Sequence, residues 1–242
     1  MDDYSHGFIV VPVVLYLVWQ KYDELKENLQ NCGFIGLIAV FVALLLVFLG
    51  RLTGFRSLEY VSFIFVIIFS VWYLFGFAVL KKISWELGFL FFMVPMPSSI
   101  YARVTLPLQL ITTELTTRLL LLLSIPVYRE GNLIHLINTS LEIVNACSGL
   151  RSLLTILALA YIVGIISAEK VFVRVILLLS GVIIAMIVNV IRVSVIAVSA
   201  YHGFGGLTKG APHMLLGLFL FAISLLFLIM VQKVLKWIFP GK

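Results

Sequence analysis

The residue with the clearest chemical potential is Cys147, which lies in Asn145-Ala146-Cys147-Ser148-Gly149, just before an apolar stretch that begins at Leu150. A cysteine at the N-terminal end of a helix faces the positive end of the helix dipole, which favours the nucleophilic thiolate. Arg151, about one turn further on, would strengthen this effect. The alternative is a small packed cysteine beside Gly149, and the residues alone leave both interpretations open.

A second candidate group is Asn189-Val190-Ile191-Arg192, which lies inside a long apolar stretch. Asn189 and Arg192 are three positions apart and therefore share one face of a helix. An arginine in the bilayer is costly unless it pairs with another group or lines a wet cavity, so its presence indicates function. The alternative is a side chain that extends to the membrane surface.

His213 is the third candidate, and it follows Gly210-Ala211-Pro212 at the start of the last apolar stretch. Imidazole suits general acid or base catalysis near neutral pH, although a lone interfacial histidine is more often passive. The topology below places His213 on the same side of the membrane as Cys147 and Arg192. Together they form the set that thiol acyl transfer needs, namely a nucleophile, a base and a cation for the oxyanion.

The elements that must position these residues are predicted to be membrane helices. Hydrophobic residues make up 62% and charged residues 12% of the 242 residues, and the mean hydropathy is +1.18. A soluble fold cannot hide that much apolar surface, because roughly half of its surface must still face water. The net charge of +6 comes with no basic run interleaved with aromatic residues, so we expect no nucleic-acid partner.

The apolar stretches predict transmembrane helices, since the backbone in hydrocarbon must bond internally and no alternating strand pattern is present. They are Gly7 to Trp19, Gly33 to Leu49, Leu58 to Leu80, Trp85 to Ile100, Leu150 to Ala168, Val171 to Ser199 and Pro212 to Val231. The sequence therefore predicts one membrane-embedded, all-α, polytopic domain over residues 1–242.

Two segments between these stretches have a different character. The segment from Arg103 to Ile125 is rich in threonine, which predicts an extracytoplasmic amphipathic helix at the membrane interface. A helix buried inside the bundle is the alternative. The segment from Pro126 to Asn145 predicts a short hairpin-like cap with a turn at Gly131-Asn132.

The positive-inside rule sets the topology. If the Arg103 segment does not span, a cytoplasmic C-terminus gives about seven crossings and an outside N-terminus. The cytoplasmic basic residues are then Lys21, Lys26, Lys81, Lys82, Lys170, Arg174, Lys233, Lys236 and Lys242. Arginines gather on the outer side, where bidentate anion contacts suit them. An eight-span interpretation, which places Lys81 and Lys82 outside, is the alternative.

Several blocks of the chain resemble the signature blocks of the exosortase/archaeosortase family. They are Ala146-Cys147-Ser148-Gly149-Leu150-Arg151-Ser152-Leu153, Asn189-x-x-Arg192, His213 followed by Gly217, Tyr4-Ser5-His6-Gly7-Phe8, Pro95-Met96-Pro97, Thr105-x-Pro107-Leu108-Gln109 and Ile125-Pro126-Val127-Tyr128-Arg129-Glu130-Gly131-Asn132. They run in the same order from residue 4 to about residue 221.

The resemblance implies a membrane transpeptidase that cuts proteins carrying a C-terminal sorting signal and passes them to a cell-surface acceptor. It implies Cys147 as the nucleophile, His213 as the acid/base and Arg192 as the carbonyl or oxyanion contact. We expect supporting or substrate-binding roles for four further residues, which are Asn189, Arg151, His6 and Arg129.

The remaining expectations concern partners and location. We expect substrate proteins with a sorting signal, a lipid or glycan acceptor and the lipid bilayer as partners, and neither a metal nor another cofactor. The protein is expected in the cell membrane, with an extracytoplasmic active site and a cytoplasmic C-terminus. The alternative functions are a non-catalytic assembly protein or an anion transporter of the same fold.

Overall fold

A computed structural model describes residues 7–29, 34–137, 139–143, 150–167, 170–204 and 210–239, which are mostly helical with one small β-sheet. The chain divides into two compact units, Met1–Pro97 and Ser98–Lys242, and each is described by itself.

The first unit is built on a hairpin of two long helices. Its elements are α1 (Gly7–Gln20), α2 (Tyr22–Lys26), α3 (Phe34–Leu52), α4 (Arg56–Phe75), α5 (Phe77–Lys82), α6 (Ser84–Gly88) and a 3₁₀ helix (Phe89–Met93). Gly50 lets α3 approach α4 closely, because a Cβ at this position would lie 2.7 Å from the backbone nitrogen of Glu59. Close approach through small residues is typical of helix pairs in membranes.

A buried ion pair joins the start of α2 to α6. Glu86 is completely buried, and its Oε1 lies 2.7 Å from Nζ of Lys21, as an ion pair rather than an aligned hydrogen bond. Lys21 also donates to the backbone oxygen of Lys82 at 3.4 Å. A carboxylate removed from solvent in this way depends on its cation.

Two predicted spans are interrupted in the structure. The stretch from Leu58 to Leu80 breaks at Gly76, which separates α4 from α5. The stretch from Trp85 to Ile100 is not one helix, because the chain is extended from Val94, the residue before Pro95. A residue that precedes proline is disfavoured in the helical region, and proline donates no backbone hydrogen bond.

The second unit begins with α7 (Ser98–Leu122), whose polar side chains face the protein interior. The buried positions of this helix are Thr105, Gln109, Thr112, Thr113, Thr116 and Leu120. Its exposed large side chains are mostly apolar and include Leu106, Ile111 and Leu115, while Arg103 and Arg118 are the exposed charged ones. An amphipathic helix at the membrane interface would turn its polar face to water. In the structure this helix is present, but its polar face is turned toward the protein. This arrangement favours the alternative of a helix within the bundle.

A three-stranded antiparallel sheet follows α7, made of β1 (Val127–Glu130), β2 (Leu133–Leu136) and β3 (Ser140–Glu142). The predicted turn at Gly131-Asn132 is confirmed, because Glu130 pairs with Leu133 and Gly131 has φ +59. Glycine tolerates this left-handed conformation without strain. The third strand was not predicted. Ile134 and Ile143 on the inner face pack with Leu120 of α7 in one buried cluster.

Three long apolar helices complete the second unit, namely α8 (Leu150–Ser167), α9 (Val171–Tyr201) and α10 (Gly210–Ile238). Ala160, Leu177 and Leu228 pack in one core between them. Within the described residues, five helices are long and apolar enough to cross a membrane, and a sixth if Ser84–Met93 and Ser98–Leu122 count as one span. The helices agree with an all-α polytopic membrane protein, while the number of seven spans stays a prediction.

We expect Lys21→Met to lower the free energy of unfolding by about 3 kcal/mol, because it leaves a buried carboxylate without its cation. Adding Glu86→Gln should restore most of this loss, since the amide carries no charge. Thermal or denaturant unfolding in detergent micelles measures both effects. Lys81→Met, at an exposed lysine of the same region, is the matched control. Equal losses in Lys21→Met and Lys81→Met would contradict the assignment.

Candidate active site

The site is organised around Arg192, a half-buried residue on α9. The neighbouring positions Asn189 and Val193 are buried, so this turn of the helix faces the protein rather than its outside. Val193, the next residue of α9, and Ala197, one turn later, lie in one buried cluster with Ile134 and Ile143.

The guanidinium of Arg192 contacts His213, in the first turn of α10. Arg192 Nη2 lies 2.7 Å from His213 Nε2, which is the distance of a hydrogen bond. Guanidinium nitrogens only donate, so Nε2 must accept and the imidazole in this arrangement is neutral, with its proton on Nδ1. The structure thus brings together two of the three residues expected to be catalytic.

The rest of the guanidinium is enclosed but not fully paired. Arg192 Nε is buried and has no hydrogen-bond partner among the described residues. Gly217, one turn after His213, leaves room on one side, because a Cβ there would lie 3.5 Å from Nη2 and 3.7 Å from Cζ. A buried donor without a partner is costly, and it suits an acceptor such as a carbonyl or carboxylate oxygen that arrives with a ligand.

Asn189 anchors the same stretch of α9 to α7. Its Nδ2 donates to Thr112 Oγ1 at 3.2 Å, and both residues are buried. Leu120, two turns after Thr112, lies in one cluster with Val193 and Ala197, which follow Asn189. Both helices therefore run in the same direction at this contact. Sequence reasoning named Asn189 but missed Thr112, whose only signal was its place in a threonine-rich segment.

Arg129, which was expected to support the site or to bind substrate, forms contacts between the sheet and α7. Its Nη1 forms a short ion pair with Glu114 of α7, and its Nε donates to the backbone oxygen of Gly131 at 3.0 Å. Arg118 Nε contacts the other oxygen of Glu114 at 2.7 Å. Arg129 thus attaches β1 to α7, and Glu114 is a residue that the sequence analysis overlooked.

The outer face of the sheet carries a row of polar side chains from Glu130, His135 and Ser140. His135 Nδ1 lies 2.8 Å from Ser140 Oγ, and its Nε2 lies 3.3 Å from Glu130 Oε2. Tyr128 stacks on the same imidazole at 5.9 Å between ring centres. These are partners across neighbouring strands, so the row is a product of the sheet register.

Three of the expected site residues lie outside the described residues or next to their boundary. Cys147 and His6 lie outside the described residues, so their positions relative to Arg192 and His213 stay predictions. Arg151 is the second residue of α8 and is exposed. In the part of the chain that the structure describes, no group of three or more His, Cys, Asp or Glu side chains could hold a metal ion.

The fold and the site define a multi-pass helical membrane protein with an arginine–histidine contact between two of its long helices. The model of the transmembrane exosortase family matches residues 1–230 of the 242, and the chain belongs to this family. The resemblance seen in the sequence blocks is therefore confirmed, and the family is associated with the processing of sorting signals. Comparison with curated proteins and with solved structures gives no match.

The space beside Gly217 predicts a size limit. Gly217→Ala should preserve the Arg192–His213 contact and slightly stabilise α10, because its Cβ makes an ordinary contact and alanine favours helix. Gly217→Leu should displace the guanidinium. NMR of protein containing ¹⁵N-histidine, with His213→Gln to assign the signals, reports whether Nε2 still accepts a hydrogen bond. An unchanged His213 signal in Gly217→Leu would show that the glycine does not shape the site.

The ion pair of Arg129 predicts how firmly the sheet is held. Glu114→Gln and Arg129→Gln should each lower stability slightly, because the pair is partly exposed, and the double variant should lose little more than either single variant. Amide hydrogen exchange of Val127–Glu130 should accelerate in each. Arg118→Gln is the matched control, because that side chain contacts the same carboxylate but is 72% exposed. Additive losses in the double variant would rule out this attachment.

Proposed function

We propose that this exosortase-family protein is a membrane cysteine peptidase and transpeptidase. Its substrates are proteins that end in a short motif, a transmembrane helix and a basic tail. It cleaves them on the extracytoplasmic side and transfers them to a cell-surface acceptor. The observation that carries the proposal is the 2.7 Å contact between Arg192 and His213, because it joins a cation and a base between two long apolar helices.

In the first step, the sulfur of Cys147 attacks the carbonyl carbon of the peptide bond. The thiol proton passes to His213, which delivers it to the departing amine as the carbon–nitrogen bond breaks. The product is a thioester between Cys147 and the substrate, together with the released signal segment. Arg192 binds the carbonyl oxygen and stabilises the negative charge that develops on it.

The geometry supports these roles for the two described residues. His213 in this arrangement is neutral, and its Nε2 can take up the thiol proton when Arg192 turns from it to the carbonyl oxygen of the substrate. The guanidinium has five N–H donors, and Nε is buried without a partner among the described residues, so donors remain for a carbonyl oxygen. A positioned donor in an enclosed site stabilises an oxyanion far better than it does in water.

In the second step, an amine or hydroxyl of a lipid or glycan attacks the thioester. Its proton passes to His213, and the sulfur of Cys147 leaves as the new amide or ester forms. Water in place of the acceptor gives hydrolysis. The bilayer is a partner in both steps, because the substrate's own transmembrane helix lies beside the enzyme's exposed apolar helices. The proposed location is the cell membrane, with the C-terminus in the cytoplasm.

The proposal is tested by co-expressing the enzyme, carrying Cys32→Ser, with a tagged protein that ends in such a signal. The measurement is the cleavage and transfer of the tagged protein. Cys147→Ala should abolish cleavage and transfer, because no nucleophile remains. His213→Gln should lower the rate by about 10²- to 10⁴-fold, and Arg192→Gln by about 10²- to 10³-fold. Ser148→Ala, next to the nucleophile, is the control that should retain activity. Undiminished cleavage by Cys147→Ala would refute the mechanism.

A further inference from the structure

Thr112 differs from its neighbours in the way its hydroxyl is used. Thr113 donates to the backbone oxygen of Gln109 at 2.7 Å, and Thr117 donates to that of Thr113 at 2.8 Å, so these hydroxyls serve their own helix. Thr112 Oγ1 instead accepts a hydrogen bond from Asn189 on α9. The bond joins positions 77 residues apart on two different helices.

A buried polar pair of this kind sets the register between two helices. A slip by one turn would move α9 by about 5.4 Å along α7 and would break this hydrogen bond. Arg192 lies three residues after Asn189 and contacts His213 of α10 at 2.7 Å. Because that contact is short and directional, it tolerates only a small displacement of α9. The hydrogen bond between α7 and α9 therefore fixes the turn of α9 that carries Arg192.

We propose that Thr112 is a positioning residue of the active site, which acts through Asn189 to hold Arg192 against His213. Thr112 itself touches neither substrate nor the reacting atoms. The kinetic part of this inference depends on the proposed function, whereas the structural part does not. The pair contributes as an interhelical hydrogen bond of the kind that joins helices in membranes.

The first test measures the Arg192–His213 contact without any activity. In ¹⁵N-histidine protein, Thr112→Val should change the His213 Nε2 signal toward that of an imidazole without its guanidinium donor, as in Arg192→Ala. Thr112→Ser keeps the hydroxyl and should restore the wild-type signal. Thr113→Val is the matched control, because Thr113 is equally buried but bonds to its own helix. A wild-type signal in Thr112→Val, or the same change in Thr113→Val, would overturn the inference.

A second variant addresses the case in which Thr112→Val does not fold. The double variant Thr112→Val/Asn189→Leu removes both partners of this hydrogen bond together, so we expect it to fold more stably than Thr112→Val. It should still lose the wild-type His213 signal, because the register is no longer specified. A double variant that retains the wild-type signal would equally overturn the inference.

The kinetic test separates a positioning role from a loss of folding. Thr112→Val should lower kcat for processing by about 10²-fold with KM little changed, because a small misplacement of Arg192 affects mainly the transition state. Thr112→Ser should recover kcat, and Thr113→Val should leave it near wild type. If Cys147→Ala remains active, the proposed function fails, and the NMR result alone decides the role of Thr112. If Cys147→Ala is inactive but kcat of Thr112→Val is normal, the positioning role fails.

Discussion

The constraint on which the second unit depends is the cost of holding the charge of Arg192 inside a helix of apolar residues. A charged side chain in a membrane domain is stable only when it meets another polar group or a wet cavity. In this chain the first such group is His213, which accepts a hydrogen bond from the guanidinium. That contact accounts for the neutral imidazole, and the glycine at position 217 leaves room for the guanidinium beside it.

The inverted orientation of α7 follows from the same constraint. Polar side chains in lipid are expensive, and the buried threonines of α7 avoid that cost by facing the protein interior, while leucines and an isoleucine are exposed on the outside. The helix α7 is therefore amphipathic in the opposite sense to a surface helix of a soluble protein, whose polar face is turned to solvent. The polar face identifies the protein partner, and the apolar face identifies the lipid.

The parts of the fold that could be predicted were those with local causes. Composition indicated membrane helices, Gly131-Asn132 indicated the turn of the hairpin, and an arginine in an apolar stretch indicated the site. The orientation of α7 could not be predicted, because a threonine-rich face suits water and a protein interior equally well. Nor could the partner of Arg129, since Glu114 lies on another element and the pairing depends on how the sheet packs. The break before Pro95 has a local cause in Pro95 and Pro97. The apolar residues on both sides of these prolines nevertheless predicted one continuous helix.

The parallel contact of α7 with α9 has a consequence for biosynthesis. The two helices are neighbours in space but not in sequence, since the sheet and α8 lie between them. Thr112 and Asn189 are separated by 77 residues, and a ribosome adds about 5–20 residues per second. The polar face of α7 therefore stays without its partner for about 4 to 15 seconds during translation. During that interval water or the insertion machinery must solvate this polar face. The integration of α7 into the bilayer therefore depends on the later synthesis of α9.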